Sequence, residues 1–283
     1  MRISRHRCSS SKSPHPAKSP GNIRGYLPFG DSIIELSLQL LALLALVGFS
    51  AGFVSSIAGA GGLIALPVLL SIGIPPINAL ATNKFQSVFG TLSSTINYFR
   101  KGHIDFSRLY PALLCAGVGA AVGTFAVQNM SADFLQRLIP FLLIGIALYF
   151  WFSPRVDDHD SHPRISQGKF NWTVGGGIGF YGGFFGPGIG SFFAFAFTSL
   201  LGYNMRRATA NTKPLVLMTN TTSLVIFLWS GQVIWSAAIV MALGQIIGAR
   251  LGSSMVIRRG AALVRPAIIL ATIAMAVKLL LSQ

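Results

Sequence analysis

Two lysines stand where a lysine is costly. Lys84, in Ala-Thr-Asn-Lys-Phe, and Lys213, in Ala-Asn-Thr-Lys-Pro, both lie within apolar runs. An ionisable side chain at membrane depth is expensive and marks a functional site by default. The alternative is an ammonium that snorkels to an interface. Thr82 and Asn83 beside the first lysine, and Asn211 and Thr212 beside the second, add neutral hydrogen-bonding groups. The chain has only seven Asp and Glu, and Glu35 alone falls inside an apolar run, near its start. A cation carrier or a proton relay needs embedded carboxylates. Embedded cations without carboxylate partners suit an anion.

Two glycine-rich breaks carry the same chemistry. Gly48 to Gly62 and Gly179 to Ser191 interrupt apolar runs with Gly, and the second also with Pro. Interior Gly costs about 1 kcal/mol against Ala and interior Pro about 3, so a continuous helix is disfavoured at both. Broken backbone survives in a bilayer only inside protein or along a wet cavity. Helices starting after Gly61 and Gly190 would aim free N–H groups and positive dipole ends inward, which is an anion site. Gly59, Gly61, Gly62, Gly186, Gly188 and Gly190 would let that backbone approach a ligand closely. The dispersed glycines (Gly117, Gly119, Gly123, Gly244, Gly248, Gly252) read instead as helix-packing residues.

The elements that must position these groups are membrane helices. The 283 residues are 52% hydrophobic and 10% charged, far below the roughly 25% charge of soluble domains. Apolar runs of membrane length fall at 33–58, 77–99, 107–129, 133–152, 205–229, 233–257 and 261–281, with one at 171–186 and short ones at 62–74 and 189–201. The reading is an all-α polytopic membrane protein of eight to ten membrane segments. Its parts are a basic leader at 1–31, a first half at 32–152, a polar linker at 153–170 and a second half at 171–283. The leader is basic, rich in Ser and Pro and free of acids before Asp31, as a transit peptide or a cytoplasmic tail would be. The net charge of +15 sits in this leader and in loops, which orients a membrane protein and does not point to nucleic acid. Cys8 and Cys115 make no framework, and His159-Asp160-Ser161-His162 reads as a solvated linker. No metal or cofactor is expected.

The halves match. A shift of 129 residues places Gly59 on Gly188, Gly61 on Gly190, Gly73 on Gly202, Lys84 on Lys213 and Gly102 on Gly231. This predicts two internally duplicated helical repeats. Arg100, Lys101 and Arg108 mark one loop of the first half, while Arg206, Arg207, Arg258 and Arg259 mark loops of the other kind in the second. By the positive-inside rule this favours inverted repeats with five spans each. Re-entrant short segments would instead give eight crossings and parallel repeats. Arg250 has Ala121 as its repeat mate and reads as a snorkelling or bundle-pairing residue. Gln86, Asn97, Asn220, Thr221 and Thr222 read as cavity lining or interhelical glue. Trp151, Trp172, Trp229 and Trp235 fall at run ends, as an aromatic belt would place them.

Gly59-Ala-Gly-Gly-Leu-Ile-x-x-Pro67 with Gly73-Ile-Pro-Pro-Ile-Asn-Ala-x-Ala-Thr-Asn-Lys84 resembles the sulfite exporter TauE/SafE family. So do Gly182-Gly-Phe-Phe-Gly-Pro-Gly-Ile-Gly190 and Ala208-Thr-Ala-Asn-Thr-Lys213. The resemblance covers about residues 33–281. It implies a multi-pass inner-membrane transporter of duplicated architecture, linked to sulfite and small organosulfonates. The expected function is secondary export of a small anion, with an anion channel or an integral-membrane enzyme as alternatives. No catalytic set of Ser, base and acid, His cluster or carboxylate pair supports an enzyme. The expected partners are the anion and the lipid bilayer, and a homo-oligomer is compatible with both.

Overall fold

The computed structural model describes residues 38–152 and 160–259. The leader, Glu35, Asp157, Asp158, His159 and the apolar run at 261–281 lie outside the described residues. Within them every regular element is helical: α1 (Leu38–Ala58), α2 (Gly62–Ser71), α3 (Pro76–Arg100), α4 (Phe106–Gln128) and α5 (Ala132–Phe152) precede the linker. After it come α6 (Gln167–Phe170), a π-helical turn over 171–176, α7 (Gly177–Phe184), α8 (Ile189–Leu201), α9 (Met205–Trp229) and α10 (Trp235–Arg259). The linker is shorter than its composition predicts, because Ser166 accepts a hydrogen bond from the Lys169 N–H and caps a helix from Gln167 onward.

Local signals explain the helix ends. Pro75 and Pro76 open α3, where a missing N–H costs nothing. Gly102 closes it in the left-handed region, its N–H on the Phe99 carbonyl and that of His103 on Tyr98. Asn204 caps α9 through the Arg207 N–H at 2.9 Å, and Gly231 closes it as Gly102 closes α3. The left-handed glycines recur 129 residues apart: Gly59 with Gly188, Gly73 with Gly202 and Gly102 with Gly231. So do both ends of α3 and α9.

Among the described residues three helices, Leu38–Ala58, Phe106–Gln128 and Trp235–Arg258, are long and apolar enough to cross a membrane. The helices α3 and α9 are as long but more polar, and they pack against one another inside the bundle. Thr82, Gln86, Ser94 and Asn97 of α3 are buried, as are Thr209, Thr219, Asn220 and Ser223 of α9. Surrounding helices shield this polar axis. Glycines let them close in: a Cβ on Gly48, Gly52 or Gly248 of the α1–α10 pair would strike the facing backbone, as would one on Gly119, Gly123 or Gly183 of the α4–α7 pair.

Contacts fix the course of the chain. Asn78 near the start of α3 donates to the Gln232 carbonyl just beyond α9 at 2.9 Å, and Gln128 at the end of α4 donates to Ser230 at 2.9 Å. These groups define the first end of the bundle. The loops 101–105 and 202–204 meet at the second end, where Ser161 N–H also donates to the Gly202 carbonyl at 2.8 Å. Thus α3 and α9 run antiparallel. Gly48, Gly52 and Gly252 set α1 parallel to α10, pointing inward from the first end. At its break the chain turns, and α2 leads back to α3 at that same end. Likewise α7 points inward beside α4, and α8 returns to the second end. The short helices therefore form two hairpins that enter from opposite ends. Each hairpin returns to the end from which it entered, so short returning segments do not by themselves make the two halves parallel.

Candidate functional site

The tips of the two hairpins touch. A Cβ on Gly59 would overlap the Gly190 backbone, and one on Gly190 would overlap Gly59. Ser191 donates its hydroxyl to the Ala58 carbonyl, and a Cβ on Gly62 would lie 3.0 Å from Pro187 Cα. Gly59 and Gly188 adopt φ of +72° and +79°, a region that a side chain disfavours. Gly61 lies close against the Ala51 carbonyl, which holds the start of α2 to α1. The breaks thus bring four helix ends together: the C-terminal ends of α1 and α7 and the N-terminal ends of α2 and α8.

Both lysines are driven into this region. Lys84 is 1% exposed and Lys213 2%, so neither snorkels. Each reaches across to the broken helix of the other half. The Lys84 ammonium donates to the Gly182 carbonyl near the end of α7 and, at 3.4 Å, to Asn220 Oδ1. Gly186, with φ of +101°, leaves room beside it: a Cβ there would sit 2.6 Å from Nζ. Lys213 donates to the Ser55 carbonyl near the end of α1 at 2.8 Å. The acids among the described residues, Asp105, Asp133 and Asp160, are all exposed. Each lysine therefore meets the negative end of a helix dipole, an interaction worth up to about 2 kcal/mol when partly buried, and no buried carboxylate among the described residues neutralises it. Burying a charge costs several kcal/mol.

The remaining sequence-derived residues divide. Asn83 is buried and accepts from Gln86 at 2.9 Å, one position before Lys84. Thr212 turns its hydroxyl onto the Ala208 carbonyl at 2.9 Å. Thr82 points away from the breaks and caps the approach to α10, accepting from the Ile234 N–H at 3.1 Å. Asn211 lines a cavity at the second end and donates to the Arg207 carbonyl. Asn97 is interhelical glue, donating to Ser253 at 2.7 Å. Arg250, Trp172, Trp229 and Trp235 are exposed. The Asp160 carboxylate accepts from the Asn204 N–H at 2.7 Å, a structural bond at the second end. The sequence did not single out the Ser55 and Gly182 carbonyls that receive the lysines. A backbone acceptor has no residue type to read.

The profile of the family described as "Sulfite exporter TauE/SafE" matches residues 44–279. The chain is 42% identical over 246 residues to a probable membrane transporter protein of Sinorhizobium sp, covering 87% of this chain and 94% of that protein. It is 39% identical over 250 residues to one from Haemophilus influenzae, covering 88% and 98%. It is 41% identical over 250 residues to YfcA of Escherichia coli K12, also named a probable membrane transporter protein, covering 88% and 93%. No solved structure matches the chain. With apolar membrane-length helices, paired breaks and matching sequence over most of its length, the chain belongs to the sulfite exporter TauE/SafE family of membrane transporters.

Proposed function

We propose that the protein is a secondary transporter that exports a small anion, such as sulfite or an organosulfonate, across the cytoplasmic membrane. Lys84 and Lys213 supply the charge for the anion, with Asn83 and Thr212 beside them and the N-terminal ends of α2 and α8 orienting it. Gly59, Gly61, Gly62, Gly186, Gly188 and Gly190 give it backbone access. One observation carries this reading: two buried cations, each held only against carbonyl dipoles and without a buried carboxylate among the described residues. A carbonyl end is a weaker partner for an ammonium than a full negative charge. An arriving anion competes for the lysine, releases the hairpin end it holds and lets one half rock against the other.

The reading also takes the halves, 32–152 and 171–283, as inverted copies joined by the linker. Support comes from the left-handed glycines and helix ends recurring at 129 and from hairpins entering from opposite ends. Arg100, Lys101, Arg108, Arg206 and Arg207 gather at the second end, whereas the loops at 72–75, 129–131 and 230–234 carry no Lys or Arg. By the positive-inside rule the second end faces the cytoplasm of a multi-pass inner-membrane protein. The test is a counterflow screen in proteoliposomes with sulfite, thiosulfate, sulfate, sulfoacetate and taurine. Saturable counterflow of at least one of the anions is expected. Single-channel currents would mark a channel, and no flux of any would overturn the reading.

A further inference from the structure

At the second end, away from the lysines' ammonium groups, the loops 101–105 and 202–204 enclose a cavity of about 340 Å³. Arg108, Arg206, Arg207, His103, Asn204 and Asn211 line it, with Asp105 the one carboxylate of the lining. That carboxylate pairs with Arg108 at 3.2 Å, both side chains being more than half exposed, so the pair is worth little. Arg207 lies 4.0 Å over the Tyr203 ring, which holds its guanidinium in place. Arg206 is exposed. Three arginines against one carboxylate leave the lining positive. The volume admits an anion of a few heavy atoms together with water, and guanidinium forks match planar and tetrahedral oxyanions.

The positions 129 residues away form the first end, and there the same backbone frame carries no charge. Ile77 and Asn78 stand for Arg206 and Arg207, Ile74 for Tyr203 and Ala237 for Arg108. Ile74, Ile234 and Ala237 are buried, and Asn78 and Thr82 tie the segment shut through Gln232 and Ile234. A frame used twice but charged once points to a use at one end only. Asn211 lines the cavity while itself being 4% exposed, so the cavity reaches a buried polar side chain of α9.

We propose that this cavity is a separate binding site for a small oxyanion, a port at the second end where the transported anion first binds. As a port it rests on the transport reading above; as a binding site it does not. Titration calorimetry with sodium sulfite on the full chain in detergent tests the site. The heat of binding at this site persists in the Lys84→Met/Lys213→Met variant and is lost when Arg206→Gln/Arg207→Gln is added to it. Arg206→Gln alone, at an exposed position, weakens affinity about tenfold and serves if loss of the Tyr203 stack unfolds the double variant. In oriented vesicles the arginine variants raise the KM for sulfite about tenfold from the second end and leave it unchanged from the first. Binding indifferent to the arginines, or absent whenever the lysines are replaced, overturns the site. Binding that obeys the arginines in a protein that moves no sulfite keeps the site and overturns transport.

Discussion

The two ends of the bundle share a frame and differ in chemistry. At the first end, Ile74, Ile234 and Ala237 are buried, and Asn78 and Thr82 bond to the Gln232 carbonyl and the Ile234 N–H. At the second, around Gly102, arginines and a histidine surround open volume. Between them, each lysine crosses to the other half's broken helix. The contrast teaches that one backbone frame carries a neutral, hydrogen-bonded surface at one end and an arginine-lined opening at the other. Under the proposed transport, unlike ends suit traffic with a preferred direction.

The largest effect is expected at the point both halves share. Gly190→Val forces a branched side chain into the Gly59 backbone and costs roughly 3 kcal/mol, read as loss of the monodisperse peak in detergent. Gly168, where a Cβ meets nothing within 4 Å, tolerates Ala with an unchanged profile. If Gly190→Val stays monodisperse and stable, the hairpin tips do not meet as described.

A smaller effect sharpens the contrast between mouths. Because the arginine-lined cavity is open to solvent, attraction there is screened over the roughly 8 Å Debye length of physiological salt. Raising salt from 0.05 to 0.5 M (about tenfold) is expected to raise the KM from the second end several-fold and to leave it nearly constant from the first. Equal salt dependence from both sides breaks the comparison.

The smallest effect reports on the cavity field alone. Burial first, and then the positive charge of Arg206, hold His103 below its ordinary imidazole range. Both disfavour the protonated form, so Arg206→Gln moves the His103 titration upward while leaving it below the ordinary value. NMR of the imidazole checks the sign, and a downward shift would contradict it.

Much of this was legible in the chain. Gly and Pro punctuation placed the helix ends within a few residues, since left-handed turns and proline starts admit few other residue types. Lys84 and Lys213 announced themselves by the cost of burying them. The path of the hairpins was not legible, because a short apolar helix has the same composition whether it crosses or returns. Thr82 and Asn211 share a register but not a role, one capping α10 and the other facing the cavity. Side-chain type does not say which neighbour a helix face will meet. The carbonyls of Ser55 and Gly182 were invisible for a simpler reason: every residue has one.

The central claim is that the two crossed lysines hold the transported anion. Counterflow of labelled sulfite by Lys84→Met/Lys213→Met, compared with the parent protein at equal insertion and monodispersity, tests it most directly. A fall of at least about 100-fold is expected, near 2.7 kcal/mol at about 1.36 per decade. Flux within about twofold of the parent would contradict it.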